Sequence, residues 1–366
     1  MKIAILGARG IPACYSGYDT LVEELSLGLV KSSGLDVIVY CRTGYYKERP
    51  ATYEGVQLVY LPAPRIKAFE SLFHSLVSSL HVLRQGVDVV YFVDPANAPF
   101  CVLLRICGLK LVIHTDGLGW QRTKWGPLAR RYYKCVEWLS ARTAHALVTD
   151  NPAMEVYYKE EYGADSTYIS YGAESRYGDD GTVHKELGLD PGGYLLVVAR
   201  LEPENNTDFI IREYAAAHTI LPLVIVGDAP YNSPYFNRLR SLANDRVVFA
   251  GRINNQSQLN ALYRGALVYV HGHEVGGTNP SLLRAMNAGT APLVMNVSFN
   301  TSVIADCGYV FDKRPGGLAD ELNRILSKPA DVRALGEKAR IRAASRFTWD
   351  SVVSGHARLF ERVASR

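Results

Sequence analysis

The chain has 366 residues, of which 48% are apolar and 21% charged. That composition suits a globular protein and excludes a disordered chain, a coiled coil and a collagen-like fibre. The length points to two domains, since single cores seldom grow beyond roughly 250–300 residues. Forty Lys and Arg against 36 Asp and Glu leave a charge of +4, too mild for bulk nucleic-acid binding.

Short apolar runs bounded by Gly, Asp or Pro recur along the chain and predict strands. In the first half they are Lys2–Gly7, Asp36–Cys41, Val56–Pro62, Val87–Asp94, Lys110–Gly117, His145–Asn151 and Thr167–Ala173. In the second they are Tyr194–Arg200, Pro222–Asp228, Arg246–Arg252, Ala266–Gly272, Ala291–Val297 and Gly308–Asp312. Most are apolar throughout, as strands buried on both faces are in a parallel sheet. Helical patterns lie between them, among them Tyr18–Lys31, Ser257–Leu267 and Pro280–Ala288. Alternating strands and helices predict α/β architecture with right-handed crossovers and doubly wound sheets. The series restarts near Tyr194 after a polar, Gly-rich stretch. The expected organisation is a first domain over 1–173, a linker over 174–193, a second domain over 194–345 and a terminal helix over 346–366.

The six cysteines form no CxxC pair, and none has His at zinc-ligand spacing. They read as reduced, mostly buried thiols of a cytosolic protein. The apolar stretch Ile3–Leu6 is too short for a signal peptide, and no apolar run reaches about 20 residues. Any membrane contact is therefore expected to be peripheral.

Ligands of doubly wound sheets bind beyond the carboxyl ends of strands, so the loops there are the candidate sites. Loop 7–20 follows a strand and opens a helix, with Gly7, Gly10 and Gly17 permitting close backbone approach to an anion. It is not GxGxxG, and the second strand ends in Arg42 rather than an acid. Arg42 suits a 2′-phosphate, which leaves NADP open. Loop 114–120 holds His114 and Asp116, candidates for acid–base or hydrogen-bonding roles. Loop 200–206 holds Arg200, whose planar fork suits a diphosphate. Loop 271–281 places Gly276, Gly277, Thr278 and Asn279 before a helix starting near Pro280, where free N–H groups would meet a phosphate or sugar.

Segment 120–138 mixes Arg122, Lys124, Arg130, Arg131 and Lys134 with Trp120, Trp125, Tyr132, Tyr133 and Trp138. Cations beside interfacial aromatics suit an anionic bilayer surface. Phe69–Leu83 is a second, weaker candidate. An amphipathic core helix with a solvated face explains the first segment equally well.

Taken together, loop 7–20 with Val22–Leu25, segments 116–120, 199–205 and 273–283, and Phe347–Asp350 resemble the bacterial rhamnosyltransferases of the retaining family 4 glycosyltransferases. The resemblance spans nearly the whole chain. It implies a GT-B fold, with two Rossmann-like doubly wound domains facing across a cleft and the last helix crossing back to the first. It implies a nucleotide-sugar donor held by the second domain, with dTDP-L-rhamnose the best match and no further cofactor or metal. It also implies a lipid-diphosphate-linked saccharide as acceptor, and a protein at the inner face of the cytoplasmic membrane.

By the same resemblance, Arg200 takes the donor diphosphate. The partner lysine is absent, and Asn205 stands near its place. Much of the wider family carries two glutamates eight positions apart. Here Glu274 lies in the loop, Arg284 occupies the second position, and Gly276 falls on the first. Arg284 is then expected to meet phosphate, since a thymidine nucleotide lacks the 2′-hydroxyl that a carboxylate there would accept. Asp116, His114 and Glu274 are expected to position hydroxyls around the reacting sugar. Two rivals share these features: a degenerate partner subunit, and a nucleotide-sugar epimerase or hydrolase.

Overall fold

The computed structural model describes residues 1–13, 17–64, 69–115, 117–121, 126–228 and 234–366. The chain divides into two compact units. The first is Met1–Tyr171 together with Trp349–Arg366, and the second is Gly172–Thr348.

Unit 1 runs β1 (Lys2–Leu6), α1 (Gly17–Ser33), β2 (Asp36–Arg42), β3 (Thr52–Tyr53), β4 (Val56–Leu61), α2 (Phe69–Val82), β5 (Val89–Val93), α3 (Ala98–Ile106), β6 (Lys110–Thr115), α4 (Pro127–Thr143), β7 (Ala146–Thr149), α5 (Pro152–Tyr162) and β8 (Thr167–Tyr168). Among the described residues its sheet has the order β3-β4-β2-β1-β5-β6-β7-β8, parallel except where the short β3 pairs with β4. The apolar runs explain this layout. β1, β2, β5 and β6 are buried almost throughout, as strands covered by helices on both faces must be.

Unit 2 runs α6 (Thr182–Leu187), β9 (Leu195–Val198), α7 (Thr207–Ala216), β10 (Leu223–Val226), α8 (Pro234–Leu242), β11 (Val247–Gly251), α9 (Gln256–Gly265), β12 (Val268–His271), α10 (Pro280–Asn287), β13 (Ala291–Met295), α11 (Ser298–Ile304), β14 (Tyr309–Phe311), α12 (Gly317–Leu326) and α13 (Pro329–Arg346). Its parallel sheet has the order β11-β10-β9-β12-β13-β14. The stretch read as a linker carries α6 and buries Val183 and Leu189. The last helix, α14 (Trp349–Ala364), packs on α1, β5 and β6 of unit 1. Gly28 of α1 admits Val353, because a Cβ there would lie 2.3 Å from a Val353 methyl.

Every predicted strand has its counterpart. The two-residue β3 is an addition, too short and polar to announce itself. Cys107 and Cys135 are exposed, which corrects the expectation of mostly buried thiols for those two. Among the described residues no helix is long and apolar enough to cross a membrane.

Candidate functional site

In each sheet the strand order reverses at one place, between β1 and β5 in unit 1 and between β9 and β12 in unit 2. Such switch points open a crevice beyond the carboxyl ends of the strands. The candidate residues divide between these two crevices.

At the unit 1 switch point, loop 7–13 leaves β1. Gly7 and Gly10 take φ of 105° and 123°. A Cβ on Gly10 would lie 2.6–2.9 Å from Cys41 atoms, including its Cα. Glycine is therefore required by the neighbouring strand. Two of the loop's donors are already taken. Arg9 N–H donates to Asp19 Oδ1 at 3.1 Å, and Ala13 N–H to Glu23 Oε2 at 2.8 Å. Both carboxylates belong to α1 and are buried. Two acids already stand on these N–H groups, so Arg9 and Ala13 are not open to an anion. Gly17 opens α1 itself. Arg42 is likewise spent: it donates to Gly7 O at 3.2 Å and Ser71 Oγ at 3.1 Å and pairs with Glu70 at 3.3 Å. A 2′-phosphate finds no open fork there, which removes the ground for NADP.

His114 ends β6 and is buried. A chain of hydrogen bonds fixes its tautomer. His356 Nδ1 lies 2.9 Å from Val352 O, so this nitrogen carries the proton. His356 Nε2 is then bare and accepts from Tyr91 OH at 3.0 Å. Tyr91 oxygen in turn accepts from His114 Nδ1 at 2.7 Å. Among the described residues, His114 Nε2 is left as a buried acceptor without a partner. Burial, followed by the neighbouring His356, lowers the His114 pKa to about 3. Burial lowers that of His356 to about 4. Sequence reasoning missed Tyr91 and His356, which stand 23 and 265 positions from their partners.

Asp116, Arg122, Lys124 and Trp125 lie outside the described residues. Trp120 is tied inward: its indole N–H donates to Tyr157 OH at 3.1 Å, and Lys134 Nζ sits 4.5 Å from its ring centroid. That corrects its assignment to a free membrane face. Arg130 and Arg131 are exposed on α4.

At the unit 2 switch point, Arg200 follows β9 and is exposed. Asn205 serves the loop itself, donating to Arg200 O at 2.7 Å. Asn206, overlooked in the sequence, reaches Gly272 O at 2.9 Å and Glu274 Oε2 at 3.2 Å. Glu274 also pairs with Lys313 at 2.6 Å. Burial pushes the Glu274 pKa up, but these hydrogen bonds outweigh it and the net shift is downward.

Loop 272–279 then runs into α10. Asn279 caps the helix by accepting from Ser281 N–H at 3.0 Å. Ser281 Oγ donates to the same Asn279 oxygen, Tyr269 OH donates to Ser281, and His271 Nδ1 lies 3.2 Å from Tyr269 OH. Gly276 has φ of 151°, and a Cβ there would meet nothing within 4 Å. Among the described residues, none accepts a hydrogen bond from the N–H of Gly276 or Gly277. Thr278 is buried beside them. His273 stacks on His271 with ring centroids 4.3 Å apart. Burial, followed by the charge of Arg200, lowers the His273 pKa to about 3.

Arg284 takes a different position from the one expected. Its guanidinium donates to Gln256 Oε1 at 2.8 Å and to Asn260 Oδ1, both on α9, and lies over the Tyr263 ring. Its assignment to the diphosphate is therefore corrected: the side chain turns along α10 toward α9, whose amides hold it.

Residues 180–342 match the family of glycosyl transferases group 1, and residues 1–174 match a domain of unknown function, DUF1972. No curated protein sequence matches the chain. Among solved structures, a sucrose-phosphate synthase from Thermosynechococcus elongatus superposes with a TM-score of 0.84 at 19% identity, over 100% of this chain and 99% of the other. This is a GT-B fold. Anabaena HepE in complex with UDP has a TM-score of 0.77 at 13% identity, over 99% and 100% of the two chains. A trehalose 6-phosphate synthase from Burkholderia multivorans has a TM-score of 0.73 at 13% identity, over 100% and 97%. The match over residues 180–342 supports glycosyl transfer as the activity of this GT-B chain.

Proposed function

We propose that the protein is a retaining glycosyltransferase that moves L-rhamnose from dTDP-L-rhamnose to a lipid-diphosphate-linked saccharide. One observation carries the donor half of this reading. Arg200 and the unbonded N–H groups of Gly276 and Gly277 flank the same switch point, at the N-terminus of capped helix α10. A diphosphate leaving group needs donors placed where negative charge develops, and a helix start with a guanidinium supplies them. That provision needs neither metal nor cofactor. Lys313, paired with Glu274, adds a second cation to the loop.

In unit 1, His114 Nε2 is the bare acceptor, held in one tautomer by Tyr91 and His356. With its pKa near 3 it stays neutral at physiological pH, so it orients a sugar or acceptor hydroxyl and leaves the charge to other groups. For retention, the leaving phosphate oxygen accepts the acceptor proton on the face the sugar departs from. Asp116 shares the hydroxyl-positioning role by resemblance. Work on the inner face of the cytoplasmic membrane follows from the lipid-linked acceptor.

The test is a donor panel with a synthetic lipid-diphosphate sugar, read by mass spectrometry with and without EDTA. The expected result is an acceptor gain of one deoxyhexose from dTDP-rhamnose, unchanged by EDTA. Gain from UDP-glucose instead would replace the donor while keeping the transferase. Donor turnover without acceptor would favour an epimerase or hydrolase. No transfer and no nucleotide-induced rise in Tm would favour an inactive partner subunit.

A further inference from the structure

Helix α2 is built inside out. The residues it buries are His74, Ser75, Ser78, Ser79 and Val82. The large apolar residues face outward: Phe69 is 63% exposed and Leu80 51%, with Phe73, Leu76 and, just past the helix end, Leu83 also exposed. Their spacing of four, three, four and three residues draws one continuous stripe along the helix. A stripe of five large apolar side chains exceeds the scattered exposure normal for a surface and marks a place where something docks.

Its position is defined by its bonds. Arg42, at the carboxyl end of β2, ties the first turn through Glu70 and Ser71. Ser75 donates to Asn97 at 2.6 Å, and Tyr132 of α4 donates to Ala96 O at 2.9 Å. Helices α2 and α4 therefore flank one turn, 95–97, at the end of the sheet where His114 sits. The start of α4 continues the surface with Leu128, 85% exposed, and with exposed Arg130, Arg131 and Tyr132.

The charge on this face is mostly of one sign. Helices α2, α3 and α4 contain two acids. Glu70 pairs with Arg42, and Glu137 is buried, accepting from Tyr157 at 2.8 Å and Tyr162 at 2.9 Å. Asp94, half-buried at the turn, accepts from Ala96 N–H at 2.9 Å, and against it stand the exposed Arg130 and Arg131.

We propose that α2 and the first turns of α4 dock on an anionic lipid bilayer. The stripe enters the boundary between headgroups and acyl chains, and Arg130 and Arg131 meet headgroup phosphates. A second copy of the chain also fits a seam of this spacing, but pairing two such faces would bring like charges together. The inference deepens the lipid-linked acceptor reading. Vesicle binding needs no donor or acceptor, so the two readings fail separately.

The full chain is floated with vesicles of phosphatidylcholine alone, and of phosphatidylcholine with about one-third phosphatidylglycerol. Binding is expected to the anionic vesicles and to weaken with salt. Phe69→Asp with Leu80→Asp is expected to cut the bound fraction roughly tenfold or more. Arg130→Glu with Arg131→Glu should remove the preference for phosphatidylglycerol. Circular dichroism and Tm should stay unchanged, because these side chains are exposed. If the aspartates lower Tm, Phe69→Ser with Leu80→Ser gives the same reading. Absence of binding to anionic vesicles, or binding that the α2 variants leave intact, overturns the proposal. So does a dimer in sedimentation equilibrium that the α2 substitutions dissolve while vesicle binding is absent.

Discussion

Loop 7–13 of unit 1 and loop 272–279 of unit 2 look alike in sequence. Each leaves a strand at a switch point, leads to a helix and turns on glycine with positive φ, Gly7 and Gly10 in the first and Gly276 in the second. They differ in what fills them. In unit 1, Asp19 and Glu23 of the following helix take the N–H groups of Arg9 and Ala13, and Gly10 is pressed against Cys41. In unit 2, the following helix contributes no acid: α10 reads Pro-Ser-Leu-Leu-Arg-Ala-Met-Asn, and space around Gly276 is open. A glycine loop before a helix is therefore ambiguous until the acids on that helix are counted. The first loop has two of its N–H groups held by acids, and among the described residues the N–H groups of Gly276 and Gly277 in the second meet no acceptor.

The widest expected separation between the units is in acid. Unit 1 buries His74, His114 and His356, with pKa values lowered to about 4, 3 and 4 by burial first. Below about pH 6.5 the unfolded chain binds protons that these histidines refuse. Stability is therefore complete above that value and falls with pH, by up to about 1.4 kcal/mol per unit for each histidine. Unit 2 carries two such histidines, His271 and His273. Calorimetry from pH 7.5 to 4.5 should show unit 1 melting earlier as pH drops. Parallel loss in both units would erase the contrast.

Next in size is Gly10→Ala, expected to cost about 3 kcal/mol, from a left-handed backbone and a collision with Cys41. Gly276→Ala carries backbone strain alone and should cost about 1–2 kcal/mol. Urea midpoints check both. Equal losses would mean that the second loop is as packed as the first.

Arg200→Ala acts on function. Removing one preorganised donor from a developing charge is expected to lower kcat/KM roughly 100-fold with Tm unchanged, since Arg200 is exposed. Transfer at the wild-type rate would take the diphosphate away from this loop. The smallest effect belongs to Asp19→Asn. It keeps an acceptor for Arg9 N–H but loses the charge, costing about 1 kcal/mol with donor KM unmoved. A shifted donor KM would show that the first loop does meet the nucleotide.

Much of the fold was legible because strands buried on both faces leave continuous apolar runs, and these recur from Lys2 to Asp312. The loops were legible as well, because Gly276-Gly277 and Arg200 stand at strand ends. What escaped depends on partners distant in the chain. Nothing near His114 announces that His356 sets its tautomer. Asn206 became visible only when β9 and β12 placed it beside Glu274. Arg284 read as a phosphate ligand because its packing on Gln256 and Asn260 is a matter of helix orientation. Helix α2 kept a helical period, but period alone does not say which face is buried.

The two termini of the described chain both belong to unit 1, with unit 2 inserted between Tyr171 and Trp349. During synthesis all of unit 2 leaves the ribosome before α14 does. Unit 1 must wait for it with a gap over α1, β5 and β6. His114 then acquires its final protonation geometry only when His356 arrives. A chain lacking Trp349–Arg366 would keep every element of unit 2 but leave unit 1 unfinished.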